Sequence, residues 1–358
     1  MLRTKKEILN IAPYTPGKSK IAGVANPIKL SSNENGIGCS PKAEAAYKNF
    51  SALNRYPDAT ALELREAIGK AYDLNAEKLI CGAGSDEILE LIAYAYAGEG
   101  DEVAYTEHGF LVYPIAARSA GATPVAVKEK NYTTDVDAIL KAVTSKTRIV
   151  YVANPNNPTG TCVPSSEIAR LRKGLREDIL LVIDVAYAEC VSMPGYTDGR
   201  EIVDVTENTI MVHTFSKMYG LAALRLGWAY AHPKIIDILN RIRPPFNITG
   251  PALAAGIAAV ADKDFLKKSI DHNSKWREKL FAELENLGFK PLLSQANFIT
   301  ARFGEQKDSG KKAFDFLASK GIIVREIANY GLPEFLRLSI GSDSEMEKLI
   351  AALREYKK

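Results

Sequence analysis

A lysine just past a buried strand, set among hydroxyls and glycine with an arginine nearby, is a candidate nucleophile and proton carrier. Lys217 has that setting in Thr214-Phe215-Ser216-Lys217-Met218-Tyr219-Gly220-Leu221-Ala222-Ala223-Leu224-Arg225-Leu226-Gly227. Partial desolvation lowers a lysine pKa, and the neutral amine can form a Schiff base with a carbonyl compound. Taken alone, such a lysine is more often a solvated surface residue. Asp184 closes the apolar run from Ile179 and Tyr187 lies three residues on, so an acid and a phenol leave the same sheet edge. An unpaired buried carboxylate is costly, so Asp184 requires a partner.

Two further segments stand where ligands bind. Asn154-Pro155-Asn156-Asn157-Pro158-Thr159-Gly160 follows a β-branched run, at the edge where open α/β sheets place ligands, although two Asn-Pro steps also suit a plain turn. Gly82-Ala83-Gly84-Ser85-Asp86-Glu87 opens a helical pattern, a setting for anion binding by free backbone N–H groups or for simple N-capping by Ser85. The third position of a dinucleotide fingerprint is Glu87 here, and no GKS or GKT follows a glycine-rich loop, which argues against Rossmann and P-loop readings.

The elements that must hold these residues follow from periodicity. From about residue 60 to 245, β-branched runs (148–153, 179–184, 209–213, 227–230) alternate with amphipathic helical patterns, which predicts a mostly parallel sheet between helices. A charged periodic stretch over 264–287 predicts a long helix, followed by strands at 297–300, 321–325 and 335–340 in a second, smaller α/β domain. The first 40 residues are dense in proline and glycine and read as an arm that contacts a partner subunit. The expected organisation is an arm over 1–40, a large domain over 41–250, and an interdomain helix with a small C-terminal domain over 251–358.

Composition narrows the classes of function. With 358 residues, 46% hydrophobic and 25% charged, the chain reads as a folded globular protein, and a net charge of +3 gives no reason to expect nucleic acid or a membrane as partner. The start Met1-Leu2-Arg3-Thr4-Lys5 lacks the apolar core of a signal peptide, and Cys39, Cys81, Cys162 and Cys190 form no CxxC pair, so a reducing cytoplasm is expected. His108, His213, His232 and His272 lack metal-ligand spacing, so no metal is expected.

Asn157, Asp184, Tyr187, Lys217 and Arg225 follow one another at intervals of 27, 3, 30 and 8 residues. In that order they resemble the pyridoxal-phosphate-dependent transferases of the aspartate-aminotransferase fold (fold type I), and among those the histidinol-phosphate aminotransferases. The resemblance runs through Pro13-Tyr14-Thr15-Pro16-Gly17, Leu30 to Asn35, Arg55-Tyr56-Pro57-Asp58, Gly84 to Glu87, Thr214 to Gly227, Pro245-Phe246-Asn247 and Leu336 to Gly341.

It implies an α/β fold with a mostly parallel seven-stranded sheet, pyridoxal 5′-phosphate as cofactor, and a homodimer with shared active sites. It further implies amino transfer between L-histidinol phosphate and 2-oxoglutarate, giving imidazole-acetol phosphate and glutamate in histidine biosynthesis. An aromatic aminotransferase and a threonine-phosphate decarboxylase are alternatives on the same cofactor motifs.

By the same resemblance, Lys217 anchors the cofactor and moves the substrate proton, Asp184 pairs with the ring nitrogen, and Tyr187 and Asn157 donate to the ring oxygen. Phe110 stacks on the ring, where relatives often have tyrosine. Gly84, Ser85, Asp86, Thr214, Ser216 and Arg225 take the cofactor phosphate, with Tyr56 reaching it from the neighbouring subunit. Arg337 grips a carboxylate, and Arg325 and Tyr14, the latter from the other subunit's arm, face the substrate phosphate. Asn35 is implied in substrate binding. It precedes Gly36 where relatives usually have proline, a change expected to loosen the loop, and Val185 replaces a common glutamate.

Overall fold

The computed structural model describes residues 4–358, so the first three residues of the predicted arm, and with them most of the chain start, lie outside the described residues. The arm contributes β1 (Ile28–Lys29). The large domain carries β2 (Leu79–Gly82), β3 (Glu102–Thr106), β4 (Thr123–Val127), β5 (Thr147–Ala153), β6 (Leu180–Asp184), β7 (Thr209–Thr214) and β8 (Gly227–Ala231). These seven form one sheet in the order β2-β8-β7-β6-β5-β3-β4, parallel throughout except for β8, which runs against both neighbours. The predicted mostly parallel seven-stranded sheet is therefore present.

The central strands are buried on both sides, which explains why they read as continuous apolar runs rather than as alternating ones. Along β5, Val150 and Val152 enter one core while Ile149, Tyr151 and Ala153 enter another on the opposite face. Register places Ala153 beside Asp184 and Asp184 beside Val212, so the carboxyl ends of β5, β6 and β7 end together. Asp184 shares its face of β6 with Leu180 and Val182, the face covered by the helix Val112–Ala120. That sidedness is what lets a helix side chain reach it.

The small domain is built on β9 (Lys290–Pro291), β10 (Phe298–Arg302), β11 (Ile322–Ile323), β12 (Arg325–Glu326) and β13 (Phe335–Ser339). Four of them make an antiparallel sheet in the order β12-β13-β10-β9, backed by the helices Ser309–Ser319 and Asp343–Tyr356. The single strand expected over 321–325 is broken at Val324. Its first half, β11, pairs in parallel with β1 of the arm, and its second half, β12, pairs with β13. Leu30 accordingly sits in the small domain's core with Trp276, Ile323 and Leu338.

The helix Gly250–Ala261, grouped by the sequence with the C-terminal part, packs its small residues Ala252, Ala255 and Ala259 into the large-domain core. The 24-residue helix Lys263–Asn286 then carries the chain into the small domain, matching the charged periodic stretch. Gly36 has a different role from the one expected. A Cβ there would lie 2.3 Å from the Gly341 carbonyl carbon, so the glycine permits two backbones to touch and fastens the loop where a side chain would wedge it open.

Candidate active site

The ends of β5, β6 and β7, the helix Ser85–Tyr96 and the small-domain strands β12 and β13 enclose one cleft. Lys217, Asp184, Tyr187, Asn157, Phe110, Ser85, Asp86, Thr214, Ser216, Arg225, Arg325, Arg337 and Tyr14 all line it. Gly84 stands behind the wall with φ +85°, and a Cβ there would come within 2.7 Å of the Arg225 guanidinium. Only glycine leaves that approach open.

Lys217 is partly buried, with Nζ 5.6 Å from the centre of the Tyr187 ring. Burial first, and then the nearby Arg337 guanidinium, bring its pKa from the ordinary 10.5 down to about 8, against the opposing pull of Asp86 and Asp184. At pH 8 roughly half of this amine is neutral, against under about 1% for a free lysine. Pulse-labelling the cofactor-free protein with acetic anhydride across pH 6 to 11 should therefore show Lys217 reacting with a midpoint near 8. A midpoint shared with the surface lysines above about 10 would refute this electrostatic account.

Asp184 is 5% exposed. One carboxylate oxygen accepts from Tyr113 Oη at 2.7 Å and the other from the Ala186 N–H at 3.1 Å. Among the described residues it makes no ion pair, and burial pushes its carboxyl above the usual carboxylate range. A charged carboxylate at this place is stabilised by a cation supplied from the cleft. Tyr113 was not legible in sequence, since it lies on the apolar face of its helix, stacked 4.8 Å from Tyr151 like any core aromatic.

The Asn-Pro segment divides its work. Asn154 accepts from the Val163 N–H and donates to its carbonyl, and Asn156 bonds Thr159, so these two build the turn. Asn157 instead accepts from Arg337 Nη1 at 2.5 Å through its side-chain oxygen. Because guanidinium only donates, the Asn157 Nδ2 is left free as a donor. Arg337 also donates to the Ser31 carbonyl at 2.9 Å, while its Nε is buried without a partner.

At the other end, Gly84 rather than Ser85 caps the helix Ser85–Tyr96, and no side chain caps its first turn. Those open N–H groups face the Thr214 and Ser216 hydroxyls, and Arg225 Nη1 lies 3.4 Å from Ser216 Oγ. The combination of helix N-terminus, hydroxyls and guanidinium is suited to a phosphate. Asp86 currently shares Arg225, at 3.2 Å.

The opposite wall holds two arginines side by side: Arg325 and Arg337 are register partners across β12 and β13, both nearly buried. Arg325 donates to the Thr15 carbonyl at 2.8 Å. That bond draws the chain's own Tyr14 into its own cleft, whereas the sequence reading has Tyr14 arriving from another subunit. Two predicted residues lie away from this wall. Asn35 donates to the Met218 carbonyl at 2.8 Å and Ser269 Oγ at 3.0 Å, tying the loop to the segment after Lys217. Tyr56 is 81% exposed and stacks 4.5 Å from Phe246 beside a separate apolar groove. Asn33, inside the Leu30 to Asn35 segment but given no role there, and Tyr330, which no pattern singled out, do line the cleft.

The chain's sequence matches the family model for aminotransferase class I and II over residues 25–353. It is 50% identical to a histidinol-phosphate aminotransferase of Paramagnetospirillum magneticum over 98% of this chain and 97% of the relative. It is 48% identical to that of Maricaulis maris over 98% of both. The crystal structure of histidinol-phosphate aminotransferase from Sinorhizobium meliloti in complex with pyridoxal-5′-phosphate superposes with a TM-score of 0.91 at 28% identity, covering 100% of this chain and 98% of that one. A Thermus thermophilus aspartate aminotransferase, 20% identical and covering 100% of this chain and 99% of that one, shares the fold with a TM-score of 0.82. With an amine, a carboxylate, a phenol and a phosphate cradle in one cleft and relatives of this kind over its whole length, the chain belongs to the class I and II aminotransferases, and within them to the histidinol-phosphate aminotransferases.

Proposed function

We propose that the chain uses pyridoxal 5′-phosphate to transfer the amino group of L-histidinol phosphate to 2-oxoglutarate, giving imidazole-acetol phosphate and L-glutamate in histidine biosynthesis. The observation that carries this reading is the pairing of Lys217, its pKa near 8, with Arg325 and Arg337 across the cleft. The donor set fits the cofactor group by group. The helix start with Thr214, Ser216 and Arg225 matches its phosphate, the cation-deficient Asp184 its ring nitrogen, and Tyr187 and Asn157 its ring oxygen. Phe110, which lines the cleft, would cover a ring face.

When bound, pyridoxal phosphate supplies a carbonyl for amine exchange and a ring that accepts an electron pair. Lys217 Nζ holds the cofactor and, when released, takes and returns the proton at the substrate α-carbon. Asp184 keeps a proton on the ring nitrogen by opposite charge in a site of low dielectric. Arg337 forks onto the α-carboxylate of glutamate. Histidinol phosphate carries a phosphate ester in place of that carboxylate, and Arg325 beside Arg337 adds the second charge that a dianion needs.

The exposed Tyr56 supports a homodimer in which this residue completes the neighbour's phosphate site. Four cysteines free of disulfides support a cytoplasmic setting. Among the described residues no helix is long and apolar enough to cross a membrane, and no cluster of ligands could hold a metal.

The test is one half-reaction. The reconstituted protein, without oxo-acid, is mixed with histidinol phosphate, phenylalanine or O-phosphothreonine while its visible spectrum is followed. Rapid conversion by histidinol phosphate alone is expected, and comparable conversion by phenylalanine would make the protein an aromatic aminotransferase. Arg325→Gln should raise the concentration of histidinol phosphate needed for half-conversion by about tenfold to a hundredfold while changing phenylalanine by under about threefold, since a charge-assisted bond is lost only for the phosphate. Equal losses for the two would remove the role given to Arg325.

A further inference from the structure

The phenol oxygen of Tyr187 already has a partner inside the protein: Asn33 Nδ2 approaches it at 3.0 Å. The proton directions along this chain follow from one donor that cannot reverse. The backbone N–H of Asn33 donates to Ser339 Oγ at 2.9 Å, so that oxygen is an acceptor there. The Ser339 hydroxyl has a single hydrogen, and its other contact is Asn33 Oδ1 at 2.9 Å. The carboxamide oxygen therefore faces Ser339 and its NH2 faces Tyr187. Tyr187 accepts that bond, and its own O–H is left to donate elsewhere. The remaining direction is the cleft, which Tyr187 lines.

We propose that Asn33 is a positioning residue that turns the Tyr187 hydroxyl into a hydrogen donor aimed at the cofactor's ring oxygen, with Ser339 of the small domain holding it in that sense. This deepens the pyridoxal phosphate reading above and rests on it. Asn33 is suited to the role by its rigidity: it is 1% exposed, its φ is +54°, and its carbonyl accepts from Asn297 Nδ2 at 2.9 Å. Asparagine and aspartate are the side chains that best tolerate such a backbone, so an isosteric exchange is available. The charged and titratable groups facing Tyr187 are Arg337, Asp184, Tyr330 and Lys217, and none is altered in the test below.

A hydrogen bond donated to an ionised oxygen favours its ionised form. The test is the pH titration of the visible absorbance of the cofactor-loaded protein, in the wild type, Asn33→Asp, Tyr187→Phe and the double variant. In Asn33→Asp the added carboxylate oxygen accepts the Tyr187 hydrogen and takes it from the ring oxygen. The titration midpoint is expected to rise by about one unit, a tenfold change in the equilibrium, in the same direction as in Tyr187→Phe. In the Tyr187→Phe background the Asn33 exchange should move the midpoint no further. Ser339→Ala, which frees the carboxamide to turn over, should give a smaller rise that also vanishes in that background.

An equal shift in both backgrounds would show that the new charge acts directly, and no shift in a folded, loaded variant would show that Asn33 does not orient the phenol. Either result overturns the proposal. A wild-type protein that binds no chromophore overturns the cofactor reading itself, and the Asn33 proposal with it.

Discussion

Replacing Lys217 with alanine lowers kcat/KM by about four orders of magnitude or more, roughly 5 to 6 kcal/mol of transition-state stabilisation, and abolishes the visible band of covalently held cofactor. The size of the loss follows from two roles carried by one amine. As nucleophile it is neutral in useful proportion because its pKa is near 8, whereas Lys29, which also lines the cleft, is ion-paired with Glu34 at 2.7 Å. As proton carrier it contributes a further factor of about a hundred to ten thousand that solvent does not replace in a site this enclosed. Thermal unfolding of the cofactor-free variant should match the wild type, since the truncation removes a costly buried amine rather than an apolar contact. Retained turnover would end the assignment of Lys217.

Asp184→Asn is the second large effect. Asparagine has the same shape and keeps an oxygen for the Tyr113 hydroxyl, but its NH2 cannot accept from the Ala186 N–H as the second carboxylate oxygen does, so one backbone bond is lost along with the charge. Removing one member of a buried ion pair costs about 3–5 kcal/mol, so kcat/KM should fall by about a hundredfold to several thousandfold. The cofactor-free protein behaves differently. Among the described residues its carboxylate has no cation and is held above its usual pKa by burial, so relief of the buried charge offsets the bond lost from the Ala186 N–H and unfolding stability should change by under about 1 kcal/mol. A parallel loss of stability and activity would indicate damage to the fold and would remove the electrostatic explanation.

Several chemistry-bearing residues were legible because they stand at or just past the end of a strand whose interior is mostly apolar. Asp184 ends β6, Thr214 ends β7, and Asn157 follows β5, and a polar group at such a place is conspicuous. Four of the seven strands of the large-domain sheet, β5 to β8, were legible through their apolar runs, whereas β2, β3 and β4 were not singled out. The roles of Tyr113 and Asn33 were not legible, because they depend on partners about 70 and 150 residues away, Asp184 and Tyr187. A core-facing tyrosine and an asparagine inside a motif acquire these roles only from tertiary contact. Gly36 shows the reverse error: a glycine in a loop suggested slack, while its neighbour across space, Gly341, makes it a close contact. Tyr14 lines its own chain's cleft beside the bond from Arg325 to the Thr15 carbonyl, a contact that no sequence spacing indicates.

The pairing of β1 with β11 brings together Ile28 and Ile322, residues on the order of 300 apart in the chain. Leu30 shares its core with Leu338 and Ile340, which follow it by about 300 residues, so that contact forms only after the small-domain strands have been made. The large domain can complete its sheet and its own core while β1 has nothing to pair with, and the small domain closes later by joining segments far apart in the polypeptide. Arg325 and Arg337 lie in that late-closing part, so the nascent chain completes the cleft wall of Ser85, Thr214, Ser216 and Arg225 before it acquires the wall that bears the two arginines.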